Sequence, residues 1–591
     1  MQTIEYAVRL YSPQAHLFEV SCRIAQPDAK GQVVSLPAWI PGSYLIRDFA
    51  RHIVTFSASA KGKSIALSKL DKHTWRCAPC QEPLLITYNV YAFDLSVRAA
   101  YFDTTRAYFN GTSLFVRVHG QEHSPCRVIL DKPAKAQKDW QVATAMLPEK
   151  IDNQGFGHYQ AQNYEELIDH PVEIGELAIA KFKACGVPHR IIISGRQQAD
   201  LKRITRDLKT LCTYHIEFFG EPAPFNRYDF MLYAAGDDQY GGLEHSYSTS
   251  LICPRSWLPV KDETLDEEGY RDFLKLCSHE YFHAWHVKRI RPQAFKDSEL
   301  TQEAYTRLLW VFEGFTAYYD ALAVQRCGLM SREDYLQKLA QALTRLMRTP
   351  GRLVQPLEDS SFDSWIKLYR PDENTPNAQV SYYLKGSLVA MALDLSLRNE
   401  GKTSLDEVMK SLWQTYGQSG LAVPENAIEQ LVEKLSGSKH AELFQAMLRD
   451  TTELPFATLF KQFAIDYEVK LASADKGKAS RIPRSVLGLK LANGNEVKLA
   501  HVFTGTAAEL AGLAAGDVII AIDDLKVSVQ TLERVVSRKA PGSKLNLHVF
   551  RRDELMQFSL VTQAEAPDSC HLLPQAKPDM RSKQLLDAWL R

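Results

Sequence analysis

The stretch Cys277-Ser278-His279-Glu280-Tyr281-Phe282-His283 sets two imidazoles four residues apart, with a carboxylate beside the first, inside a window of helical periodicity. Side chains four apart share one face of a helix, so His279 and His283 converge on one point. Imidazole nitrogens suit a zinc ion at about 2.0 to 2.1 Å, and a catalytic zinc keeps three protein ligands and one open position for water. Glu280 stands where it can take a proton from that water as it attacks a carbonyl, which makes it the expected general base. Five residues of pattern also occur on helices that do no chemistry, so the surroundings must carry the rest of the argument.

The strongest surrounding signal is Glu313, in Leu309-Trp310-Val311-Phe312-Glu313-Gly314-Phe315. A carboxylate among aromatics is costly to bury unless a partner or a cation compensates it. Glu313 is therefore the expected third ligand of a single zinc ion; the alternative is a glutamate on the polar edge of its helix.

Several kinds of element must hold these groups. Up to about residue 180, short alternating apolar runs such as EYAVRLYS, HLFEVSCRIA and PLLITYNVYAF read as an all-β domain. Its Leu36 to Tyr44 loop, with two prolines and a glycine, is expected to interrupt pairing and to expose Trp39 and Tyr44. After a strand at HRIIIS, the period becomes helical in QADLKRITRDLKTLCTYHIEFFG and ends at Gly220. Amphipathic stretches at 268–290, 302–327, 332–348, 379–398 and 404–416 then predict a mainly helical domain, with YDFMLYAA as a strand before them. A run of small and charged residues marks a linker, and strand patterns around several glycines return after it. The expected division is 1–178, 179–470, a linker at 471–483, 484–565, and a tail at 566–591 with a short helix.

With 591 residues, 45% hydrophobic and 24% charged, the chain needs several cores. Seventy basic residues balance 70 acidic ones, which argues against nucleic acid or an anionic membrane as partner. No run of about 18 apolar residues and no export signal is recognisable, and ten scattered cysteines suit free thiols, so a cytoplasmic protein is expected. Cys77 and Cys80 read as unpaired thiols rather than a metal pair.

The combination of His279, His283 and Glu313-Gly314-Phe315 resembles the gluzincin metallopeptidases, which implies a thermolysin-like catalytic domain. The longer strings HEYFHAWHVKRIRP and LLWVFEGFTAYYD resemble more narrowly the glycyl aminopeptidase family, and the likeness extends over nearly the whole chain. It implies a multidomain α+β architecture: an N-terminal all-β domain, a mainly helical peptidase domain and a C-terminal PDZ domain. Twenty-nine residues separate His283 from Glu313, a longer gap than in other gluzincin aminopeptidases.

The resemblance also implies roles for further residues. Tyr240-Gly241-Gly242-Leu243-Glu244-His245 is similar to the motif in which a glutamate binds the substrate's α-ammonium, here Glu244, and a glycine strand, here Gly241 and Gly242, aligns the peptide. A Gly-Gly hairpin turn is the plainer reading of the same letters. Ser381-Tyr382-Tyr383-Leu384-Lys385-Gly386 is similar to the segment whose tyrosine stabilises the oxyanion, which maps onto Tyr383, with Tyr382 as the adjacent alternative. Ala507 to Asp523 resembles a PDZ domain, so Leu487, Gly488 and Leu489 would form a loop for a peptide's terminal carboxylate. The expected activity is removal of small N-terminal residues, glycine or alanine, from peptides. An endopeptidase or oligopeptidase aided by PDZ capture, and a non-catalytic PDZ peptide-binding protein, are the competing readings; the intact H-E-x-x-H speaks against the last.

Overall fold

The computed structural model describes residues 2–132, 138–296, 298–472 and 483–591. Two compact units emerge: Met1–Tyr305 with Tyr319–Met330 and Met409–Pro424, and Thr306–Tyr318 with Ser331–Val408 and Glu425–Arg591. The helix Gly314–Arg326 begins in the second unit and continues in the first.

The first unit opens with an eight-stranded sheet, ordered Leu147–Ile151, Gly157–Ala161, Cys126–Leu130, Ile4–Ser12, Leu17–Ile24, Leu84–Tyr91, Ile53–Ala60 and Lys63–Ile65. Strand alternation builds it: along Leu84–Tyr91, Leu84, Ile86, Tyr88 and Val90 are buried. The loop at Leu36 to Tyr44 departs from expectation, because Trp39 and Tyr44 are buried. Trp39 Nε1 donates to the Gln302 carbonyl at 2.9 Å and Tyr44 stacks on Phe295, so Gln302 and Phe295 pack against these rings.

A five-stranded sheet follows, ordered Ala178–Ala184, Val187–Ser194, Tyr228–Ala235, Ser248–Pro254 and Gly241–Glu244. Its three middle strands are parallel, and Gly241–Glu244 is an antiparallel edge. The helix Leu201–Phe219 ends at Gly220, whose φ of 92° suits a residue without a Cβ. The helix Glu267–Phe282 is capped by the Asp266 side chain accepting from Gly269 N–H at 3.0 Å. Tyr270, Phe273, Leu274, Cys277 and Tyr281 form its buried stripe.

Three helical expectations are shorter in the structure, the one at 379–398 beginning only at Leu384. Residues 283–290 run as turns, and Val287, at φ 126°, lies outside any helical conformation. Residues 302–308 are irregular as well; Thr306 Oγ1 accepts from Leu308 N–H at 3.1 Å, a local bond that competes with helix entry.

In the second unit, Gly314 and Gly386 let two helices meet. A Cβ on Gly314 would stand 2.7 Å from the Gly386 Cα, so neither position admits a side chain without displacement. The C-terminal part has its own core, including Leu499, Ile519, Leu545 and Leu547, beneath the sheet Leu525–Lys526, Val518–Ile522, Lys544–Arg551, Glu554–Val561. The strand Ile465–Lys470 before it pairs antiparallel with Ser569–Pro574 after it. The expected linker at 471–483 lies mostly outside the described residues. The tail ends in the helix Met580–Trp589, where Trp589 is buried and donates to the Tyr318 hydroxyl at 2.8 Å. All ten cysteines are free thiols. Among the described residues, no helix is long and apolar enough to cross a membrane.

Candidate active site

Ligand atoms of His279, His283 and Glu313 all lie within 4.8 Å of one another. His283 and Glu313 are buried and His279 is half-buried. The second histidine stands one residue past the helix Glu267–Phe282, at its C-cap, still in the right-handed helical conformation that keeps it above His279.

Their outward nitrogens fix the tautomers. His279 Nδ1 lies 3.2 Å from Asp320 Oδ2, and His283 Nδ1 lies 2.8 Å from the His286 carbonyl oxygen. A carboxylate and a carbonyl only accept, so both Nδ1 atoms carry the proton. The two Nε2 atoms then face each other at 3.1 Å. Neutral imidazoles so arranged present two lone pairs to one point and call for a cation there. Tetrahedral arms of about 2.0 to 2.1 Å would set two such nitrogens about 3.3 Å apart, close to the spacing found. With Glu313 as an oxygen donor, the set fits zinc in its chemistry.

Asp320 was not anticipated from the sequence, although it follows Glu313 by seven residues, two helical turns along the same face. It is buried, and Lys275 Nζ approaches its carboxylate at 3.7 Å.

Behind the motif helix, two buried histidines brace it. His189 Nε2 meets the Tyr281 hydroxyl at 2.8 Å, and His215 Nε2 meets the Ser278 hydroxyl at 2.9 Å. Burial pulls His189 down to about 4 and His215 to about 3, so both are neutral near pH 7.

In front of it lies the edge strand Gly241–Glu244. A Cβ on Gly242 would overlap the Glu280 carboxylate, so glycine is what lets that carboxylate lie against the strand. Gly242 and Glu244, two apart on a strand, face the same way. Glu244 is buried, and Gly42 closes over it: a Cβ there would sit 2.5 Å from Glu244 Oε2. The Gly42 loop and Arg98, whose Nη2 donates to the Gly242 carbonyl at 3.2 Å, both come from the β domain, and Arg98 carried no sequence signal. Gly241 and Gly242 lie within the strand, and the reversal falls at residues 245–247 instead.

A cavity of about 460 Å³ opens at Glu244, lined also by Gly42, Asp169, His245, Val287 and Lys288.

Tyr382 is fully buried, whereas Tyr383 is partly exposed at the start of the helix Leu384–Glu400. The Tyr383 hydroxyl lies 3.1 Å from that of Tyr369, a neighbour with no sequence signal. In the C-terminal part, Leu487, Gly488 and Leu489 form the turn into the strand Leu489–Leu491. Gly488 has φ 76°, and its carbonyl accepts from Phe503 N–H at 3.0 Å and from the Thr506 hydroxyl at 3.0 Å.

Residues 5–176 match the family described as Peptidase M61 N-terminal domain, residues 272–389 that described as M61 glycyl aminopeptidase, and residues 485–562 that described as PDZ domain. Among solved structures, the chain is similar to an aminopeptidase N family protein from Idiomarina loihiensis, with 37% identity, 100% of each chain covered and a TM-score of 0.94. It is also similar to an M1 zinc metallopeptidase from Deinococcus radiodurans, with 15% identity, 77% of this chain and 95% of that one covered, and a TM-score of 0.48. No curated protein matches it.

Proposed function

Because the chain belongs to the M61 glycyl aminopeptidase family of metallopeptidases, we propose that it removes small N-terminal residues, glycine or alanine, from peptides, using one zinc ion held by His279, His283 and Glu313. The observation that carries this reading is the placement of two carboxylates along one strand. Glu280 lies over Gly242, and Glu244 projects to the same side two residues further on, a step of about 7 Å. That step suits an extended substrate whose ammonium sits at Glu244 while its first peptide bond sits at Glu280.

Bound at the three ligands, zinc would polarise the scissile carbonyl and make water acidic enough to deprotonate near neutral pH. Glu280 takes a proton from the attacking water and delivers it to the departing amine nitrogen as the C–N bond breaks. Tyr383 donates its phenolic proton as a hydrogen bond to the carbonyl oxygen while charge develops there. Glu244 pairs with the free α-ammonium, and the glycines of the edge strand admit the substrate backbone closely. Leu487, Gly488 and Leu489 hold the terminal carboxylate of a separate peptide ligand.

Metal analysis of the purified protein, with hydrolysis of amino acid anilides and of matched free and N-acetylated peptides, tests the whole. One equivalent of zinc and cleavage confined to free N-termini, fastest for glycine and alanine, are expected. Equal cleavage of acetylated peptides would leave Glu244 without its role, and a protein that holds no metal would end the proposal.

A further inference from the structure

Asp169, half-buried at the C-cap of the helix Tyr164–Ile168 in the β domain, is the centre of a polar cluster that the reaction scheme does not use. Its Oδ1 accepts from Lys288 Nζ at 2.6 Å and faces His245 Nδ1 at 3.2 Å, and its Oδ2 accepts from Ser246 N–H at 3.0 Å. Lys288 and His245 are themselves buried. Burial alone would raise the Asp169 carboxyl, yet the Lys288 ammonium and the His245 ring hold it well below the usual carboxylate range. Ionised, it stays an acceptor for all three donors.

Each donor lies next to a residue that matters. His245 and Ser246 directly follow Glu244 and end the edge strand. Lys288 follows Val287, a β-branched residue held at φ 126°, a conformation that persists only where its surroundings enforce it. Before Val287 comes His286, whose carbonyl oxygen receives His283 Nδ1–H, and Lys288 N–H itself returns to the His283 carbonyl at 3.1 Å. One carboxylate thus fixes both the turn that orients His283 and the end of the strand that carries Glu244.

We infer that Asp169 is a positioning residue for two parts of the site at once, acting through Lys288 on the metal-facing nitrogen of His283 and through His245 and Ser246 on Glu244. The β domain thereby contributes to metal affinity and to recognition of the substrate amine. This rests on the ligand and anchor roles proposed above.

The test compares wild type with Asp169→Asn and, as a second probe of the same link, Lys288→Gln, which keeps a donor toward Asp169. Zinc dissociation constants come from chelator competition on protein shown to be folded by circular dichroism, and KM and kcat from glycine anilide hydrolysis. Both variants should bind zinc at least tenfold more weakly, in line with the effect of groups that orient metal ligands. At saturating zinc, Asp169→Asn should raise KM more than it lowers kcat. A purely structural role would lower the melting temperature and leave both constants of the folded protein unmoved. Zinc affinity and KM within twofold of wild type in either folded variant overturns the inference. A wild type that binds no zinc overturns instead the metal reading on which it stands.

Discussion

The carboxylate of Glu280 fills the space that a side chain on Gly242 would need. The overlap is with the far end of a flexible side chain, not with backbone, so an added methyl can be relieved by turning Glu280 aside. Gly242→Ala should therefore fold with a nearly unchanged melting temperature, keep its metal, and lose about 10²-fold or more in kcat, since small misplacements of a catalytic group cost that much. Steady-state kinetics beside metal content checks it; full activity would show that Glu280 works from another position.

Gly42 stands in the same relation to Glu244, with the added constraint of φ 92°. Gly42→Ala should cost about 1 kcal/mol in stability from the backbone alone and displace the Glu244 carboxylate. A rise of roughly tenfold in KM for free-amine substrates is expected, with kcat less affected. Thermal melts and kinetics on one preparation separate the two effects.

Asp320 holds the proton-bearing nitrogen of His279. Asp320→Asn should weaken zinc binding by about 10- to 100-fold, the range for partners of ligating histidines. Chelator competition measures it, and an unchanged dissociation constant would remove Asp320 from the site.

For the two adjacent tyrosines, burial predicts a clean contrast. Tyr383→Phe should lower kcat by about 10²- to 10³-fold with little change in KM, as for loss of one oxyanion donor. Tyr382→Phe, in the packed core, should leave kcat near wild type. The reverse pattern would move the oxyanion role to Tyr382.

His189 and His215 carry a pH signature. Their folded-state values lie below the ordinary imidazole value of 6.5, so the unfolded chain binds more protons between that value and about 4. The stability they confer is complete above pH 6.5 and is lost as pH falls through that window. At about 1.4 kcal/mol per pKa unit, His189 alone accounts for on the order of 3 kcal/mol. Melting temperature against pH should fall from pH 7 to pH 4, and less steeply in His189→Gln, whose amide does not titrate.

The linear sequence by itself determined what is local. Helical periodicity places His279 and His283 on one face whatever surrounds them, and the alternation in Leu84–Tyr91 or the glycine at 220 acts within a few residues. Resemblance added the assignments of Glu244 and Tyr383, which periodicity could not supply. Tertiary structure alone decided what depends on long-range approach. Trp39 and Tyr44 are buried against Gln302 and Phe295, Gly42 closes over Glu244 from 202 positions away, and Asp169 reaches Lys288 across 119. Val287 leaves the helical conformation that its neighbours favour, because contacts distant in sequence compensate the strain. Short-range propensity acts through neighbours a turn or a strand step apart, whereas charge pairing and close packing act between groups that only the completed fold brings within a few ångströms.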